Sequence, residues 1–115
     1  MGLFDSVSYV AVGSALDALA LRQRAIADNV ANLQTPSYRA RVVDFEQALS
    51  RAVSGGSGDA SATVRRSLAA TREDGNNVHI DEQTLLNIET NLRYQLATQA
   101  ASGQFSSVRA AMRTS

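Results

Sequence analysis

Two long runs with a helical apolar period stand at the two ends of this chain, and neither carries a face wide enough to close a globular core. In residues 3–33 the apolar positions fall at Tyr9, Val12, Leu16, Leu19, Ile26, Val30 and Leu33. With Gln23 filling the gap, the steps alternate between three and four, which is a heptad seam suited to a partner helix. Asp17, Arg22, Arg24 and Asp28 lie on the other face. Thirty or so residues at about 1.5 Å each reach roughly 45 Å. A helix of that length cannot shelter its stripe alone and needs a second helix, from the same chain or a neighbour. Gln23 reads two ways: a register-setting amide, or a group facing water or a neighbour's polar side chain.

The second run spans residues 81–113. Asp81 is the expected N-cap, with Ile80 and Leu85 spaced as a hydrophobic staple. One stripe runs Leu85, Ile88, Leu92, Leu96 and on through Ala100 to Gly103. A second line, Tyr94, Ala97, Ala101, Phe105, Val108 and Met112, lies on an adjacent face. Two stripes let this helix meet more than one partner. Asn87 and Asn91 share a face, either exposed or bonding across an interface.

Between the runs the chain reads as irregular. Pro36 disfavours helix at Thr35, so the first helix ends near Asn32 and Thr35-Pro36-Ser37-Tyr38 is a turn. Arg39 to Val43 reads as extended. Asp44, with Gln47 three residues on, reads as the cap of a short helix carrying Phe45, Ala48, Leu49 and Val53. Residues 54–63, SGGSGDASAT, have linker composition. Val64 to Thr71 is open between helix and strand. Asp74-Gly75-Asn76-Asn77 is a turn signal, and Val78 and Ile80 around His79 read as a brief extended piece. The expectation is therefore a single all-α domain over 1–115. Its two terminal helices pair as an antiparallel coiled coil, and residues 34–80 form a turn and a flexible, protruding middle.

Composition removes several function classes. Eleven acidic residues balance eleven basic ones, all arginine, which argues against nucleic-acid binding. There is no cysteine and one histidine, so a metal centre is poorly supplied. His79 lacks a nucleophile motif beside it, and the acids from Asp74 lack calcium-loop order. No catalytic residue, metal or cofactor is expected. No run is long and apolar enough to span a membrane, and the first residues do not read as a secretory signal. Gly2 with Ser6 fits the short myristoylation pattern, which chance also produces.

The stretch Asn29-Val30-Ala31-Asn32-Leu33-Gln34-Thr35-Pro36-Ser37-Tyr38-Arg39 resembles the A-N-x-x-T-P-G-Y signature that closes the N-terminal helix of bacterial flagellar rod and hook proteins. Asp44-Phe45, Asp74-Gly75-Asn76-Asn77-Val78 and Asn91-Leu92-Arg93-Tyr94 agree with the same family, and the likeness runs from Leu3 to Met112. The small middle is most like the short members at the proximal end of the rod. Ser37 stands where the family usually has glycine, so a left-handed backbone there would be costlier.

The resemblance implies a structural subunit of the basal-body rod, exported by the flagellar type III apparatus without a cleaved signal and polymerising into the drive shaft. It implies as partners the subunit itself, other rod proteins, the rod adaptor protein FliE, the MS ring and the export gate, with no nucleic acid and no small-molecule substrate. It implies a family turn at Ala31, Asn32, Thr35, Pro36 and Tyr38, and an export-gate pattern in Phe45 and Leu49. The stripes place assembly contacts at Leu16, Leu19, Ile26, Val30, Leu92, Leu96, Phe105 and Val108. Competing readings are a sibling rod subunit, a soluble helical adaptor or secretion chaperone, and a hydrolase built on His79.

Overall fold

The two terminal runs become the two long helices of an elongated molecule, 65 × 25 × 15 Å. A computed structural model describes residues 3–113, with side chains for residues 6–103 and 109–113. Gly2, Phe105 and Val108 lie outside what is described, the last two as side chains. Helix α1 spans Leu3–Ala31, strand β1 Arg41–Asp44, helix α2 Glu46–Ser54, strand β2 Thr63–Arg66 and helix α3 Ile80–Arg113.

Helices α1 and α3 run antiparallel. Gln23 Nε2 donates to Asn91 Oδ1 at 2.8 Å, and Asn29 Nδ2 donates to Gln83 Oε1 at 3.0 Å, so rising numbers on one helix meet falling numbers on the other. Gln23 thus bonds a side-chain amide of α3. The covered line of α3 is Gln83, Leu86, Thr90, Tyr94, Ala97 and Ala101, a mixture of polar, aromatic, aliphatic and small residues. Thr90 Oγ1 is buried there with no hydrogen-bond partner among the described residues. The more aliphatic stripe faces outward: Leu85 is 67% exposed, Ile88 61%, and Leu92 and Leu96 57% each.

The middle departs from expectation. It is not an irregular, protruding loop but a small layer folded onto α1. Strands β1 and β2 pair antiparallel, Arg41 opposite Arg66 through Asp44 opposite Thr63. An all-α description therefore needs this two-stranded sheet added. Val43 and Phe45 enter a core with Ala18, Leu19 and Ala25 of α1, and Leu49 packs against its edge. The glycine- and serine-rich stretch is also built in. Ser14 Oγ donates to Gly58 O at 2.9 Å and accepts from Ala60 N at 3.1 Å. Gly58 has φ +71, and a Cβ there would lie 2.5 Å from Val7 O, so only glycine lets the chain pass this close to α1. Composition alone signals a linker and cannot reveal such a contact.

Two caps differ from the sequence reading. Asp44 does not cap α2. The cap position is Phe45, without a side-chain cap bond, and Asp44 ends β1, where it holds Arg65 at 2.7 Å. Asp81 does not cap α3 either, because Gln83 N already bonds His79 O at 3.0 Å. The helix begins one residue early, and Asp81 sits in the first turn, where a carboxylate favours the helix dipole. Ile80 and Leu85 are both exposed and form no staple.

Arg22 binds the middle layer to α1. Its buried guanidinium donates to both carboxylate oxygens of Glu46, at 2.7 and 3.1 Å, and to Val43 O, and lies 4.8 Å from the centre of the Phe45 ring. Arg93 of α3 reaches the same carboxylate at 3.3 Å, so Glu46 joins three helices. Burial alone would push the Glu46 carboxyl up. The hydrogen bond from Arg22, those from the N–H groups of Glu46 and Phe45, and Arg22's charge outweigh it and lower the carboxyl to about 2. A depressed carboxyl contributes stability above its ordinary value of 4.5 and loses it as the pH falls toward about 2. Thermal unfolding between pH 5 and pH 2 should therefore show a decline in Tm for the parent protein that is smaller in Glu46→Gln.

Candidate functional site

A chain that leaves a helix, turns twice and enters another helix strands many backbone polar groups, each costly if buried without a partner. At the C-terminal end of α1 this chain meets that demand with three asparagines. Asn29 is fully buried and pairs with the Arg41 backbone in both directions, accepting from Arg41 N at 2.8 Å and donating to Arg41 O at 2.9 Å. That is the pairing a neighbouring strand would give, supplied by a helix side chain. Asn76 donates to Asn32 O at 2.9 Å and Thr35 O at 2.8 Å, and accepts from Val78 N at 2.7 Å. Asn77 accepts from Ala40 N at 2.7 Å and donates to Ser67 O and Ala69 O at 3.0 and 3.1 Å. An amide offers donors and an acceptor on one short side chain, which suits it to bridge loops that lack a ladder.

The family turn sits inside this junction. Asn32 closes α1: its N–H bonds Asp28 O and Asn29 O at 3.1 Å, and its side chain donates to Asp28 O and accepts from Thr35 Oγ1. Ala31 is the last residue of the helix. Pro36 carries the chain to Ser37, which has φ 62, the left-handed conformation that makes glycine the easier residue there. Ser37 N–H bonds Asp74 O at 2.8 Å, and a Cβ on Gly75 would lie 3.3 Å from Ser37 Cα. The two turns are thus pressed together, one helped by glycine and the other by hydrogen bonding. Tyr38 O accepts from Asn77 N at 3.1 Å, and the Arg66 guanidinium lies 5.3 Å from the Tyr38 ring centre. Arg72 donates to Leu33 O and Val78 O, tying both helix ends to the same loop. His79 is exposed, with Nε2 3.3 Å from Ala70 O.

The expected contact residues divide into groups. Leu19 and Ile26 are buried within the subunit, and Leu16 is half-buried beside Tyr94 in a groove between the helices. Val30, Leu92 and Leu96 stand exposed. Phe45 is buried beneath Arg22 with Leu49 nearby. Reasoning from the sequence missed Arg22, placed on the polar face because it is charged. It also missed the tertiary reach of Asn29, Asn76 and Asn77, since an asparagine in a turn already has local reasons to be there.

Replacing Asn76 by Ala removes three hydrogen bonds and leaves the buried Val78 N–H without its acceptor, while Asn32 O and Thr35 O keep the bonds from Thr35 N and Tyr38 N. It should cost about 3 kcal/mol in urea unfolding. Asn87→Ala, at an exposed position, should change stability by less than about 0.5 kcal/mol.

The sequence profile of the flagella basal body rod protein family matches residues 9–39, the seam of α1 and the turn that follows it. Over 81% of this chain and 86% of the relative, 31% of residues are identical to the flagellar basal body rod protein FlgB of Borrelia hermsii. The FlgB of Escherichia coli K12 is 30% identical over 78% of this chain and 81% of its own length. That of Bacillus subtilis 168 is 26% identical over 84% and 85%. A junction built on the family's own turn, in a chain that aligns with these relatives across most of its length, makes the chain a member of the flagellar basal body rod protein FlgB family.

Proposed function

We propose that this structural rod subunit, which is not an enzyme, enters the proximal part of the drive shaft by laying the outward stripe of α3 against neighbouring subunits. The observation that carries the reading is the uncovered aliphatic row Leu85, Ile88, Leu92 and Leu96 on a helix whose other face is already taken by α1. Four exposed aliphatic residues in line on an elongated two-helix molecule call for a cover. A shaft that carries torque needs lengthwise elements held on several sides, and a heterologous contact that does not close on itself generates a helical tube. Together with Val30 on α1, the row belongs to the contact set, to which the sequence adds Phe105 and Val108 on the adjacent line of α3. In the assembly the α1–α3 pair works as a coiled coil, with its seam completed by adjoining helices.

The location is the flagellar basal body. Other rod proteins are partners by family membership, and the proposal adds FliE and the MS ring at the proximal end. It also adds export through the type III gate, with Phe45 and Leu49 as the segment read before folding. Burial of Phe45 under Arg22 fits a signal offered only by the unfolded chain.

Leu92→Asp tests the proposal. It places a carboxylate in the seam while leaving the subunit's own core untouched, since Leu92 is exposed in the isolated molecule. Cells carrying it should make the protein at parental levels and form no swimming halo in soft agar. Normal swimming would remove the stripe from the assembly contacts.

A further inference from the structure

At the end of the pair remote from the asparagine junction, α1 and α3 leave a groove lined by Tyr9, Leu16, Tyr94, Thr98, Ala101 and Arg109, with a volume of about 570 Å³. Its walls are aromatic, aliphatic and small. Arg109 is its one charged lining residue, and no carboxylate pairs with it among the described residues. An apolar trough with a lone cation is complementary to an amphipathic helix that carries carboxylates beside aliphatic residues.

From this geometry we infer that the groove receives the first turns of an α3-type helix from the adjoining rod subunit, an aliphatic pair flanked by carboxylates. This inference rests on the rod reading above. The chain itself displays that chemistry at the opposite end of the molecule. Leu85 and Ile88 are the two most exposed members of the stripe, and Glu82 and Glu89 flank them. Glu82 is unpaired among the described residues, and Glu89 shares its charge only with Arg93, at 2.6 Å. Because segment and groove lie at opposite ends, one molecule cannot fill its own groove. Filling it from a neighbour gives a head-to-tail contact that propagates without closing. Helices in a polar shaft run the same way. Setting an incoming Leu85 beside Ala101 offsets the two copies of α3 by about 24 Å. An incoming Glu89 then lies one turn before Arg109, on the side toward which helical side chains lean.

The probe is a fluorescent peptide of residues 79–92, titrated against the purified full chain by anisotropy. It should bind saturably. Arg109→Glu should weaken it about fivefold, and a peptide carrying Glu82→Arg and Glu89→Arg should recover that loss on the Arg109→Glu protein. Ser102 also lines the groove, and Ser102→Trp, which fills it, should abolish binding with the helical circular dichroism of the protein unchanged. No saturable binding up to millimolar peptide, or equal affinity for both peptides on both proteins, overturns the inference. Neither result touches the rod reading, which stands or falls on motility.

Discussion

Backbone hydrogen bonding at the junction governs the rest of this molecule. Residues 32–40 and 67–79 form neither helix nor extended ladder, yet they are packed against each other and partly buried. Their N–H and C=O groups must be bonded or the ends of α1 and α3 would part. Asn29, Asn76 and Asn77 do this with side chains, and each bonds a segment that is remote in sequence. The junction therefore sets where α3 starts and how it lies on α1. The helix seam is less decisive: its α3 side is polar in part, and the Thr90 hydroxyl has no hydrogen-bond partner among the described residues. Polar bonding is thus concentrated at one end of the helix pair, and an open groove lies at the other.

Arg22 plays the companion role for the middle layer. A buried cation costs much unless it is paired and hydrogen-bonded. Here Glu46, Val43 O and the Phe45 ring surround it, so the arginine turns a two-stranded sheet and a short helix into a layer attached to α1. The middle consequently follows α1 as one body. In a shaft subunit, that leaves the outer face of α3 free for contacts with other subunits.

Much of this was legible in the residues. The helical period of α1, its end near Asn32, the turn at Pro36 and the long second helix follow from spacing and from proline. The residues left the backbone at Ser37 open, since serine pays more than glycine for the left-handed conformation that it in fact adopts. What the residues concealed has one physical reason in each case. Residues 54–63 look like a linker because small residues serve flexible chains and close backbone approaches equally, and Gly58 is the latter. Arg22 looks solvated because charge normally is, and only the later Glu46 reveals its partner. Asp44 and Asp81 fit capping patterns, but Asp44 is drawn to Arg65 across the strand pair, and α3 starts earlier than Asp81 through the bond from Gln83 N to His79 O. Which of the two stripes on α3 faces α1 could not be read from spacing alone, and the structure gives that face to the line of Tyr94, Ala97 and Ala101.

The central claim is that the aliphatic face of α3 is bare in the subunit and covered in the rod. The chain has no cysteine, so a single Leu92→Cys gives an unambiguous reporter of that cover. Its alkylation rate should be measured in the purified subunit and in isolated basal bodies from swimming cells. The account predicts fast labelling of the free subunit and strong protection in the basal body; equal labelling in both would contradict it.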